Sequence, residues 1–136
     1  MLKSAIIGVS GYGRFIYNLM KEAQDQGLLN ISAAVIRTPS KAQDVYDELK
    51  AAGASIFSSA DEMFDALKGK IDLVCIPTGI ETHRPLTIAA MKAGAHVMVE
   101  KPLAGTLEEI EEMMEAKKKG SFRICQRLNL YPSLPS

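Results

Sequence analysis

Apolar residues along the chain fall into two alternating patterns. Short, nearly unbroken apolar runs occur at Ser4–Ile7, Ile31–Ile36, Ser55–Phe57, Ile71–Ile76, His96–Val99 and Phe122–Cys125 and predict strands. Between them lie stretches whose apolar positions recur every three or four residues: Phe15, Leu19, Met20, Ala23; then Ala42, Val45, Leu49, Ala52; then Leu107, Ile110, Met113, Met114. That spacing predicts amphipathic helices. Three helix starts carry capping-box spacing, Ser40 with Gln43, Ser59 with Glu62 and Thr106 with Glu109. The last helix runs from acidic at Glu108–Glu112 to basic at Lys117–Lys119, an order that complements a helix dipole and reads as a solvated face.

Strands as apolar as Leu73-Val74-Cys75-Ile76 imply burial on both faces, hence a parallel sheet with helices above and below. Alternating strands and helices then give an α/β doubly wound parallel sheet of Rossmann type, in its simplest order 3-2-1-4-5-6. The 136 residues are one domain's worth, and 47% hydrophobic with 24% charged residues is ordinary for a soluble protein. Sixteen basic residues balance sixteen acidic ones, so no overall field points to nucleic acid or to an anionic membrane. Cys75 and Cys125 sit in apolar runs without metal-ligand spacing, and no metal is expected. The chain enters a strand at once, and no apolar run is long enough to span a bilayer, so a cytoplasmic location is expected.

Two strand ends carry candidate chemistry. At the first, Ile6-Ile7-Gly8-Val9-Ser10-Gly11-Tyr12-Gly13 runs from a strand into a glycine-rich turn. A dinucleotide pyrophosphate needs a tight bend there, a backbone it can approach, and a helix N-terminus aimed at its charge. Gly11 and Gly13 are expected to supply bend and approach, the helix beginning near Arg14 the dipole, Gly8 tight packing at the strand end, and Ser10 a hydroxyl donor. In that frame the third fingerprint glycine falls at position 16, where Ile16 stands instead. The second strand ends at Ile36, where NAD-binding sheets carry an acidic residue for the ribose 2′-hydroxyl. Arg37, Thr38, Ser40 and Lys41 follow instead, two cations and two hydroxyls suited to a phosphate, which favours NADP(H) with NAD(H) as the alternative.

The remaining signal is Ala93-Gly94-Ala95-His96-Val97-Met98-Val99-Glu100-Lys101-Pro102-Leu103, a helix stop and a strand that runs into Glu-Lys-Pro. With Gly8–Gly13 and with Ile76-Pro77-Thr78-Gly79 and His83, it strongly resembles the glucose–fructose oxidoreductase / inositol dehydrogenase / MocA family of NAD(P)-dependent oxidoreductases, over essentially the whole chain. The resemblance implies that Ser10, Gly11, Tyr12, Gly13, Arg14 and Phe15 hold the pyrophosphate, and Arg37 and Thr38 the adenosine ribose or its phosphate. It implies that Pro77, Thr78 and His83 border the middle and nicotinamide side, and that Glu100 anchors the nicotinamide ribose or its loop. Lys101 would face nicotinamide and substrate, its ammonium donating to the substrate oxygen at the hydride-bearing carbon, and Arg127 would sit where a substrate domain starts.

The function expected on this reading is hydride transfer between a nicotinamide cofactor and an alcohol carbon of a sugar or cyclitol-like small molecule. Residues 1–125 form the dinucleotide-binding domain and 126–136 the start of an absent substrate domain, so the fragment is expected to bind cofactor with little turnover and only weak tendency to oligomerise. A non-enzymatic dinucleotide sensor or partner subunit is the alternative. A nucleoside-cofactor methyltransferase shares the fold class and is opposed by Glu100-Lys101-Pro102.

Overall fold

A computed structural model describes residues 1–77, 80–99 and 124–126, with backbone alone for 80, 81, 83, 84, 99 and 124–126. The described strands are β1 (Leu2–Ile7), β2 (Leu29–Val35), β3 (Ser55–Phe57), β4 (Leu73–Ile76), β5 (His96–Val99) and β6 (Ile124–Gln126). The described α-helices are α1 (Tyr12–Asp25), α2 (Gln43–Ala51), α3 (Ala60–Leu67) and α4 (Ile80–Lys92). The strands form one sheet in the order β3-β2-β1-β4-β5-β6 with every pairing parallel, the Rossmann-type topology that the alternating pattern predicts. Among the described residues, no helix is long and apolar enough to cross a membrane.

Parallel strands have no wet face, and the burial shows why theirs are so apolar. Alternate residues of β1 and β4 sort into two clusters: Ile6, Leu73 and Cys75 join the core with α1 and α2 residues Ile16, Met20, Val45 and Leu49. Ala5, Ile7, Val74 and Ile76 join the opposite core with Met63, Phe64 and Ala90 of α3 and α4. β2 breaks this rule midway. Leu29 and Ile31 belong to the α1–α2 side, whereas Ala33 and Val35 belong to the α3–α4 side. The register explains the switch: Ser4 pairs with Ile31 but Ala5 pairs with Ala33, leaving Ser32 as an extra residue in β2. A one-residue bulge moves every later side chain to the other face. Ser32 Oγ donates to Ser4 O at 3.1 Å and Ser4 Oγ donates to Asn30 O at 2.9 Å, which satisfies the polar groups at the bulge.

The helix starts differ in how closely they match their sequence signals. Ser59 caps α3, its Oγ accepting from Glu62 N–H at 3.2 Å, while the Glu62 carboxylate turns to Ser58 Oγ at 2.9 Å rather than back to Ser59. The expected cap at Ser40 does not form. A 3-10 turn at Pro39–Ala42 intervenes, α2 begins only at Gln43, and Gln43 Nε2 donates to Asp47 instead. Pro39 accounts for this, because its fixed φ and missing N–H start the turn one residue before Ser40. α4 begins at Ile80 and carries Pro85 inside it. The segment with Thr106, Leu107 and Met114 lies outside the described residues.

Candidate nucleotide site at the strand ends

Ligands of open α/β sheets bind outside the carboxyl ends of the strands, where the order reverses. Here that point is the gap between β1 and β4, and the β1–α1 turn stands over it. The turn is fixed by backbone bonds: Gly8 N–H donates to Val35 O at 3.0 Å, Gly13 N–H to Ser10 O at 3.0 Å, and Arg14 N–H to Gly11 O at 3.1 Å. Gly11 takes φ +57 as the cap of α1, where a side chain would be strained.

Gly13 is glycine for a different reason. A Cβ there would lie 2.4 Å from Gly8 O and 2.9 Å from Gly8 C, so the first turn of α1 rests directly on the end of β1. Close helix–strand packing is the task of the third fingerprint glycine. The fingerprint therefore reads Gly8, Ser10, Gly13, with Ser10 in the second place, and the expectation of a glycine at position 16 is one frame too late. Ile16 is fully buried in the α1–α2 core and departs from no motif. The same hypothetical Cβ of Gly13 would also lie 3.5 Å from Pro77 Cγ, which brings the end of β4 onto the glycine turn.

Between the ends of β1 and β2 opens a cavity of about 350 Å³. Ile7, Gly8, Val9 and Ser10 form one wall, and Val35, Ile36, Arg37 and Thr38 the other. Lys41 and Ala42 of the 3-10 turn and Thr82 of α4 complete the lining. The structure thus brings together Gly8, Ser10, Arg37, Thr38 and Lys41 from two separate sequence signals. Arg37, Thr38 and Lys41 are exposed at its rim, and among the described residues neither Asp nor Glu lines it. Ser40 lies on the same turn but outside the lining. Thr82 carried no motif of its own, and only its place just after β4 marks it as a neighbour of the site.

Tyr12, Arg14 and Phe15 point elsewhere. Tyr12 stacks on Phe15 with ring centroids 5.7 Å apart. The Arg14 guanidinium forms a bidentate ion pair with Asp44 of α2, Nη1 donating to Oδ1 at 3.2 Å and Nη2 to Oδ2. One and two turns further along α1, Tyr17 OH donates to Glu48 and Lys21 Nζ pairs with Glu48 at 2.7 Å. These bonds shift the groups that make them. Arg14 holds the Asp44 carboxyl below its ordinary range, Lys21 and then Tyr17 do the same for Glu48, and burial with the Glu48 charge pushes the Tyr17 phenol upward. Thr78, Glu100, Lys101, Arg127 and the side chain of His83 lie outside the described residues. Among those described, no group of three or more His, Cys, Asp or Glu is placed to hold a metal ion.

The donors present fit a dinucleotide: a helix start flush against its strand, a glycine turn over the sheet's switch point, and a cationic rim. Comparison with known proteins agrees. The family model GFO_IDH_MocA, described as "Oxidoreductase family, NAD-binding Rossmann fold", matches residues 2–126. A UDP-N-acetylglucosamine 3-dehydrogenase of Acidithiobacillus ferrooxidans is 31% identical over 114 residues, covering 83% of this chain and 32% of that protein. A 1,5-anhydro-D-fructose reductase of Ensifer adhaerens is 49% identical over 49 residues, 36% of this chain and 15% of that protein. The crystal structure of myo-inositol 2-dehydrogenase from Lactobacillus plantarum superposes with TM-score 0.65 at 26% identity, covering 93% of this chain and 36% of that one. The chain thus spans about a third or less of the length of these relatives.

Proposed function

Because the chain belongs to the Gfo/Idh/MocA oxidoreductase family, we propose that its cavity takes the adenosine end of NADP(H) and that the protein serves hydride transfer at an alcohol carbon of a sugar or cyclitol-like substrate. The observation that carries this reading is the joint lining of one cavity by the glycine turn and by Arg37, Thr38 and Lys41. An adenosine 2′-phosphate meets a guanidinium, a hydroxyl and an ammonium there, and among the described lining residues no carboxylate to repel it. Ile7, Val9, Val35 and Ile36 make much of the rest of the lining apolar, which suits an adenosine. The relatives' names, a reductase and dehydrogenases of sugar-derived and cyclitol compounds, support the substrate class.

Within this reading the α1 N-terminus and Ser10 hold the pyrophosphate, and Pro77, Thr78 and His83 border the cofactor's middle. Glu100 secures the nicotinamide ribose or its loop. The bound cofactor supplies the hydride donor or acceptor. Lys101 directs its ammonium at the substrate oxygen, where a positive charge stabilises alkoxide character as the C–H bond is made or broken. Residues 1–125 form the dinucleotide unit, and Arg127 belongs to the start of a substrate-binding one. Hydride transfer also needs a proton acceptor and a dry, closed pocket. A chain that spans about a third of its relatives' length is expected, by itself, to bind the dinucleotide and turn over little.

Titration of the 136-residue protein with NADPH, followed by nicotinamide emission, tests the reading, and the absence of Trp keeps that signal clean. Saturable binding is the expected result, and no binding up to millimolar NADPH would overturn the reading. Substrate-dependent NADPH production from NADP⁺ by the same polypeptide, across a panel of sugars and cyclitols, would overturn the expectation of little turnover.

A further inference from the structure

The facing surfaces of α1 and α2 are matched charge for charge. Arg14, Tyr17 and Lys21 lie along one stripe of α1, and Asp44 and Glu48, one turn apart, along one stripe of α2. Arg14 pairs with Asp44, and Tyr17 and Lys21 with Glu48. The first of these pairs stands beside the nucleotide cavity. α1 continues from the glycine turn that forms one wall, and Asp44 lies in the first turn of α2, two residues beyond Ala42 of the lining. Asp44 is also the first acidic residue after the cationic rim of Arg37 and Lys41. Its carboxylate, left alone, would lower the positive potential that the rim offers a phosphate. The bidentate Arg14 guanidinium compensates that charge.

We propose that the Arg14–Asp44 pair tunes nucleotide specificity, with Arg14 compensating the Asp44 carboxylate so that it does not weaken the rim's preference for a dinucleotide carrying a 2′-phosphate. The proposal rests on the reading of the cavity as an NADP(H) site. Neither residue lines the cavity, so the action on the phosphate is through charge alone. Both side chains are well exposed, at 44% and 64% of their surface, and the effect is correspondingly modest.

The test is the ratio of NADPH to NADH affinity in the wild type, R14Q, D44N and the double variant, at low and high salt, with a thermal melt of each. In R14Q the ratio falls by roughly two- to fivefold, the size expected of exposed charges, because Asp44 is left uncompensated. In D44N it rises by about the same factor, because Arg14 keeps its charge with no partner. The double variant returns close to the wild type, and all the differences shrink at high salt. Single variants that move the ratio in the same direction would overturn the proposal. So would a ratio that stays fixed while both affinities and the melting temperatures fall together, since that describes a purely structural seam. Should R14Q fail to fold, the sign of the change in D44N decides alone. A wild type without preference for NADPH would overturn the NADP(H) reading and this proposal with it. An intact preference that neither variant alters overturns this proposal only.

Discussion

Gly13 shows how much of the site turns on one missing atom. Any side chain at position 13 meets the carbonyl of Gly8 at 2.4 Å, and that contact is backbone, which cannot swing aside. Gly13→Ala is therefore expected to lift α1 off β1, with a loss of about 1–3 kcal/mol of stability typical of overpacking and at least a tenfold loss of NADPH affinity. Thermal melting and the fluorescence titration measure the two effects. The glycines and their helix were legible in the sequence, but their frame was not. A fingerprint is defined by which residue the helix lays against the strand, and that depends on where the helix begins. With α1 starting at Tyr12 rather than near Arg14, the packing glycine moves from position 16 to 13. Arg37 and Thr38 were legible because they follow an apolar run directly, whereas Lys41 owes its place to the 3-10 turn that Pro39 starts.

Among elements, the strand order and most strand positions follow from apolar runs, since a parallel strand buried on both faces leaves a plain mark. The β2 bulge leaves none. The sequence through Ser32 reads as an unbroken strand, and only pairing with β1 shows that one residue is extra. The ion-paired seam between α1 and α2 was equally hidden, because it joins residues about thirty positions apart. Its titration is predictable. Folding depresses Asp44 and Glu48, so their contribution is present above the ordinary carboxylate range and is lost as pH falls through their lower folded values. Folding raises Tyr17, so its contribution is complete below its ordinary value of 10.0 and is lost as pH rises beyond it. Chemical denaturation across pH should show stability falling above pH 10, and Tyr17→Phe should flatten that fall. Ser59→Ala, which removes the α3 cap far from the cavity, is expected to cost about 0.5–2 kcal/mol in the same assay and to leave NADPH affinity unchanged.

At the scale of the molecule, the sheet brings the glycine turn after β1 and the cationic rim after β2 to one end, where both line the same cavity. The family's nicotinamide chemistry is common to both dinucleotides, and the feature of this chain that bears on the choice between them is the rim. It offers Arg37 where an acidic residue would serve an unphosphorylated ribose. The most direct measurement is the NADPH and NADH affinities of the wild type beside those of Arg37→Asp. The account predicts that the wild type binds NADPH more tightly and that Arg37→Asp reverses or flattens the preference. Equal or tighter binding of NADH by the wild type, or a preference for NADPH untouched by Arg37→Asp, would contradict it.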